Sequence, residues 1–434
     1  MRTVKWSALL SGFCGFAVVL GVMTSGAHAI VTTERGASIL AFPKVLATET
    51  ADTIIQIANT SNNMVHARCF YVNAAPDSAG RPQWQVTDFN IWLTKQQPTS
   101  WQVSRGRFVN PTDSCETLPS GLVQPSIECA QAGLDPGAIP PVPLGFTGEL
   151  KCIEVDVSGS PIGGNHLKGE ATIRTVSAGG YDAAKYNALG ILGTEIAGAT
   201  GDELLLDQPS DTEDVIGQYN ACPNQLIVNH FAELATDPTV LGTGQGGVCE
   251  EDDPATTSGP PAVQPCTTDA DCPEGGVCAN GPEVLLGPTG TVDSLQSAML
   301  TELTLIPCSQ NFEEPFTSVE ENAVTVQFLT YNEFEQVTSF STTVECWKNF
   351  FMFQLDSPFN PTTSQFSFPV QGTLGLQTVL TPNADEGGLL GVAGILRADA
   401  DSVVARTLMN IHMVGDRWSA SGGEIVDRVI LSGQ

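Results

Sequence analysis

Beyond its N-terminal region the chain is written in strand-length segments whose apolar residues alternate, with no Ala/Leu/Glu/Lys run that would build a long helix. Thr53-Ile54-Ile55-Gln56-Ile57-Ala58-Asn59 shows the pattern. In an extended chain Ile55 and Ile57 share one face, and Gln56 and Ala58 the other. The polar Thr60-Ser61-Asn62-Asn63 follows, then Val65-His66-Ala67-Arg68-Cys69-Phe70, and together they predict a hairpin. A second hairpin is predicted from Phe89, Ile91 and Leu93, a turn at Lys95-Gln96-Gln97-Pro98, and Trp101 and Val103 on the return. Positions 38–46 predict a first strand broken at Pro43, and 148–155, 167–173 and 186–192 predict three more. Val, Ile, Thr and Phe segments between Gly, Pro, Asn and Asp clusters make this an all-β chain.

The later part repeats this order. Positions 372–379 parallel the strand starting at Gly148, 390–396 the one at Leu167, and 407–414 the one at Tyr186. Val324-Thr325-Val326-Gln327-Phe328-Leu329-Thr330, with Cys346 ending the return strand, reads as the counterpart of the hairpin that carries Cys69. The expectation is a duplicated architecture: two tandem antiparallel immunoglobulin-like β-sandwich domains, at 30–200 and 201–434. The second begins with the strand at 222–231, which Glu302-Leu303-Thr304-Leu305-Ile306-Pro307-Cys308 continues after a disulfide-rich acidic insertion at about 240–285.

The N-terminus carries an address. Arg2 and Lys5 precede an apolar run at 9–23, and Ala27-His28-Ala29 is a small-x-small site. This pattern predicts a secretory signal peptide at 1–29, cleaved after Ala29, and a secreted or cell-surface chain with no transmembrane span. Phe13 stands where a lipoprotein signal needs a small residue before Cys14, which argues against lipidation.

Charge excludes one class of partner. The 18 basic residues less Arg2 and Lys5 leave 16 against 48 acids. Between positions 186 and 347 there is no Lys or Arg, and 26 Asp and Glu. Such a surface repels phosphate backbones and anionic lipid headgroups, so nucleic acid is not expected as a partner; glycans or other surface proteins are.

Of the 12 cysteines, Cys14 leaves with the signal and an odd number remains, so at least one thiol is free or bonded outside the chain. Spacing does not fix connectivity. The candidates are Cys69 with Cys152 between two strands, Cys115 with Cys129 across a Pro-rich loop, Cys222 with Cys308 at the start of the second domain, and Cys266 and Cys278 inside the insertion.

Residues 266–278, with Cys266, Cys272 and Cys278 at a C-x5-C-x5-C spacing around Thr268-Asp269-Ala270-Asp271, resemble the small Cys-rich modules of bacterial secreted proteins. The remainder resembles exported bacterial β-sandwich proteins. That likeness implies secretion and disulfide stapling, and carries over no catalytic residue.

Chemistry is thinly signalled. His66, His166, His230 and His412 are far apart in sequence, and no His-Glu-x-x-His or Gly-x-Ser-x-Gly motif occurs. Gly242-Thr243-Gly244-Gln245-Gly246-Gly247 matches a dinucleotide fingerprint only formally, because Glu250-Glu251-Asp252-Asp253 follows where a phosphate would sit. Asp269, Asp271 and Glu274 are the candidate calcium ligands, being closely spaced carboxylates in a Gly-containing loop. Trp84, Trp92 and Trp101 fall close together beside Lys95, Arg105 and Arg107 and are the candidate glycan platform. The function expected is that of a non-enzymatic structural or adhesive protein of the cell surface or extracellular space. The alternative is a carbohydrate-binding or calcium-dependent binding module.

Overall fold

The computed structural model describes residues 31–432 except 79–81, 108–137, 178–179, 194–202, 207–217, 221, 232–246, 251–264, 267–276, 280–297, 314–321, 332–336, 352–372, 381–387, 399–402 and 417–426. The expected signal peptide at 1–29 and the Cys115/Cys129 loop lie outside the described residues.

The first half contains β1 (Val31–Thr32), β2 (Ile39–Ala47), β3 (Ala51–Asn59), β4 (Val65–Asn73), β5 (Gln85–Leu93), β6 (Pro98–Gln102), β7 (Phe146–Val155), β8 (Leu167–Ser177), β9 (Gly180–Asn187) and β10 (Leu189–Ile191). The second contains β11 (Glu203–Leu206), β12 (Pro223–Phe231), β13 (Gly247–Glu250), β14 (Pro265–Cys266), β15 (Val277–Ala279), β16 (Ala298–Pro307), β17 (Gln310–Asn311), β18 (Ala323–Tyr331) and β19 (Val337–Glu345). It ends with β20 (Lys348–Phe351), β21 (Thr373–Leu380), β22 (Leu389–Ala398), β23 (Val403–Asn410), β24 (His412–Asp416) and β25 (Asp427–Ile430). The chain is all-β, with one large antiparallel sheet and several smaller ones. Among the described residues, no helix is long and apolar enough to cross a membrane.

The ten-stranded sheet has two wings. One runs β5-β4-β7-β2-β10, with β1 added beyond β10, and the other β6-β3-β8-β9; among the described residues they are joined where Ala47 pairs with Asp52 and, by an isolated bridge, where Ala37 meets Leu167. In the second half the wings are separate sheets, β19-β18-β21-β12-β24 and β20-β16-β22-β23. The two orders correspond strand for strand. The register corresponds as well: Ile57 lies opposite Gly169 and Leu305 opposite Gly391. Ala188 N donates to Gly169 O, as Ile411 N does to Gly391 O.

The hairpin expected at Val324 forms, β18 pairing with β19, but the two expected in the first half are corrected. β3 and β4 do not pair; β3 lies between β8 and β6, and β4 between β5 and β7. β5 and β6 likewise belong to opposite wings. Asn59 supplies the physical reason. Buried at the end of β3, it donates its Nδ2 to the carbonyls of Asn63, Leu93 and Thr94, so one side chain ties down both crossing links. The counterpart of β3 is therefore β16, and β18 matches β4. Cys69 and Cys346 are not equivalent, because the Cys69–Cys152 pair corresponds to Phe328 opposite Thr378.

Alternation sorts residues into three cores. Leu40, Phe42, Ile55, Ile57, Tyr71, Leu150 and Ile173 fill the space between the two wings of the first half. Leu226, Val228, Leu303, Leu305, Val326 and Phe328 do the same in the second. The third core lies on the other face of the β5-β4-β7-β2-β10 wing, where Ile39, Ala41, Phe70, Val72 and Ile153 meet Leu204, Tyr219, Ile306, Phe312, Leu390 and Val429. That wing is buried on both sides, which explains why β4 and β7 are almost continuously buried. The edges also meet: Asn410 Nδ2 donates to Asn187 O and receives Asn187 N–H on its Oδ1.

Disulfides join Cys69 to Cys152 and Cys222 to Cys308. Two such bonds indicate an oxidising, extracytoplasmic environment.

Candidate functional site

The junction between the halves buries charge. β2 bulges at Pro43 and Lys44, where its register to β7 shifts between Phe42 and Val45. A bulge re-aims side chains. This one is held from both halves: Tyr186 Oη donates to Lys44 O and accepts from Lys44 N, and Trp347 Nε1 donates to Pro43 O at 2.7 Å. What sequence reads as a break is a fixed presentation of Lys44 towards the second half.

Glu302 and Thr304 receive it. They alternate with Leu303 and Leu305 on β16, so the leucines enter the second core and the polar pair faces the first half. β20 places Asn349 opposite Thr304. Lys44 Nζ lies 2.6 Å from Glu302 Oε1 and donates to Asn349 Oδ1 at 3.0 Å. Asn349 Nδ2 donates to Glu302 Oε1 at 2.7 Å, and Thr304 Oγ1 to Asn349 Oδ1 at 2.6 Å. Lys44 and Thr304 are each 1% exposed and Glu302 5%. Burial pushes the Lys44 ammonium down to about 8, against the pull of Glu302. Burial pushes the Glu302 carboxyl up, but Lys44 and Arg406 together outweigh it and hold the acid below its ordinary value.

A second set lies on β7 in the same junction. Glu149 and Lys151 share the face opposite Leu150 and Cys152. Lys151 Nζ donates to Gln310 Oε1 and, at 3.3 Å, to Pro307 O; Gln310 Nε2 donates to Glu149 Oε1. Phe312 lies under the lysine, 5.8 Å from its Nζ, and stacks on Phe70. Burial drives the Glu149 carboxyl up and the Lys151 ammonium down, so both are pushed towards their neutral forms.

The residues proposed from sequence lie elsewhere. Asp269, Asp271 and Glu274 are outside the described residues. Cys278 lies opposite Cys249, and Cys266 opposite Gly247, in the small β14-β13-β15 sheet of the insertion. Trp84, Trp92 and Trp101 do not form one exposed face. Trp101 fills the first core, donating to Tyr71 Oη; Trp92 is 5% exposed and stacked on His66; Trp84 packs against the junction core. Alternation is the reason, because Trp92 points away from the side that Phe89, Ile91 and Leu93 bury.

The junction set does leave a signal in the sequence. In a chain with only 18 basic residues, Lys44 and Lys151 sit inside apolar strands, Phe42-Pro43-Lys44-Val45-Leu46 and Leu150-Lys151-Cys152-Ile153. A lysine so placed needs a buried partner.

No protein-family model matches the chain, and no curated protein matches it. Among solved structures, a crystal structure of a Thermotoga maritima protein aligns with 37% of this chain and 98% of that chain, at 8% identity and a TM-score of 0.23. The cryo-EM structure of Broad Bean Stain Virus aligns with 96% of this chain and 97% of that chain, at 8% identity and a TM-score of 0.14. At those scores neither likeness bears on fold or function.

Proposed function

We propose that this chain is an exported, non-enzymatic structural protein of the cell surface or extracellular space. It consists of two immunoglobulin-like β-sandwich domains fused into one stiff body that bears load or adheres. The observation that carries the reading is the wing buried on both faces. Tandem domains on a flexible linker would leave the outer face of β5-β4-β7-β2-β10 in water, and here Phe70, Val72 and Ile153 pack against Ile306, Phe312 and Val429. A stiff spacer stapled by disulfides suits a place outside the cell, where no chaperone renews it. The excess of acid over base suits solubility there and keeps nucleic acid away.

Surface biotinylation and fractionation of producing cells test this. The expected result is a chain that begins at Ile30 and is labelled on intact cells or recovered from the medium. A cytoplasmic chain that retains residues 1–29 would contradict it.

A further inference from the structure

Lys44, Asn349, Glu302 and Thr304 stand as the reactants of a covalent step. We propose that the folded chain joins Lys44 to Asn349 by an isopeptide bond between the lysine Nζ and the asparagine Cγ, a self-made crosslink between its two halves. The inference deepens the structural reading above and rests on it.

Each group has a role set by its position. Lys44 is the nucleophile, and the β2 bulge holds its Nζ against the Asn349 amide at 3.0 Å from Oδ1. Glu302 Oε1 lies 2.6 Å from that nitrogen and 2.7 Å from Asn349 Nδ2, so one carboxylate touches both the attacking and the leaving nitrogen. Thr304 Oγ1 donates to Asn349 Oδ1 at 2.6 Å, where negative charge develops when the carbonyl carbon becomes tetrahedral. Burial that lowers the Lys44 ammonium to about 8 also supplies free amine at neutral pH.

The step balances without oxidant, cofactor or metal. The Lys44 ammonium gives a proton to the Glu302 carboxylate, and the free amine adds to Cγ. The Cγ–Nδ2 bond breaks as Glu302 returns the proton to Nδ2, and the second Nζ proton follows. A lysine ammonium and a primary amide become a secondary amide and an ammonium ion, and Glu302 ends as it began. Asn349 is only half-buried, which gives the released nitrogen a way out. The Lys151, Gln310 and Glu149 set has the same three kinds of group, but its lysine is also held by Pro307 O. Lys44 is therefore the site proposed.

Peptide mapping by mass spectrometry of the reduced, secreted protein tests the bond. The expected result is one branched peptide joining the Lys44 and Asn349 segments, lighter than their sum by one ammonia, about 17 Da. Glu302→Gln, which keeps the side-chain volume, is expected to yield the two segments unjoined from a chain whose circular dichroism is unchanged. Two unjoined, unmodified segments from the wild-type protein would overturn the proposal. So would a loss of ammonia confined to the Asn349 segment, which marks a cyclised asparagine. Neither result touches the location of the chain or the stiffness of the junction, which are measured separately.

Discussion

At the scale of single residues, the described structure stakes most on polar groups kept from water. His66 is the case with a clear pH consequence. Its ring stacks on Trp92 with centroids 3.7 Å apart, and its Nδ1 and Nε2 lie 2.9 Å from the Asp156 carbonyl and the Asn90 side chain. Burial lowers its pKa below the ordinary 6.5, and the bonds to Asp156 and Asn90 only partly offset this. The unfolded chain therefore takes up the proton first. The neutral ring's contribution is complete above about pH 6.5 and is lost as pH falls through that value, at about 1.4 kcal/mol for each tenfold difference in proton affinity. Urea midpoints measured between about pH 7 and about pH 5 should fall for the wild type, and less steeply for His66→Gln. Identical slopes would remove His66 from the account. Lys44 and Lys151 were legible as oddities, because alternation says which face a lysine takes. It does not say what stands opposite: Asn349, the partner of Lys44, is 305 positions away.

At the scale of elements, register decides what a strand can do. The matches of β7 with β21, β8 with β22, and β9 and β10 with β23 and β24 were readable from the chain, because those strands keep their order and nearly their spacing. Sequence likeness pairs β3 with β18, whereas its counterpart in the fold is β16, because the insertion carrying β13 to β15 separates β12 from β16. The hairpin read at Val324 forms, as β18 pairs with β19, but the two expected in the first half do not, because a short polar link looks the same whether the chain turns back in one sheet or crosses to the other. Asn59, bonded to three carbonyls, makes it a crossing, and no local pattern announces that. Gly391 tests the register. A Cβ there would lie 2.7 Å from Leu305 Cδ2 and 2.9 Å from Thr304 O, so Gly391→Ala should cost about 1–3 kcal/mol and lower the melting temperature. Unchanged melting would mean that β16 and β22 are not held this close.

At the scale of the whole molecule, the two halves share a strand order and a junction. Ile306 and Phe312 enter the same buried cluster as Phe70 and Ile153, and Lys44 of the first half is satisfied by Glu302 and Asn349 of the second. Separating them would expose this apolar face and leave the buried Glu149 and Lys151 without Gln310 of the second half, so neither half should unfold alone. The duplication was visible in the sequence as repeated strands. The fusion was not, since β4 and β7 read as ordinary core strands whether one face is buried or both. Differential scanning calorimetry of the mature, disulfide-intact chain is the most direct test of one fused body. The account predicts a single transition whose calorimetric and van't Hoff enthalpies agree. Two resolved transitions, one for each half, would contradict it.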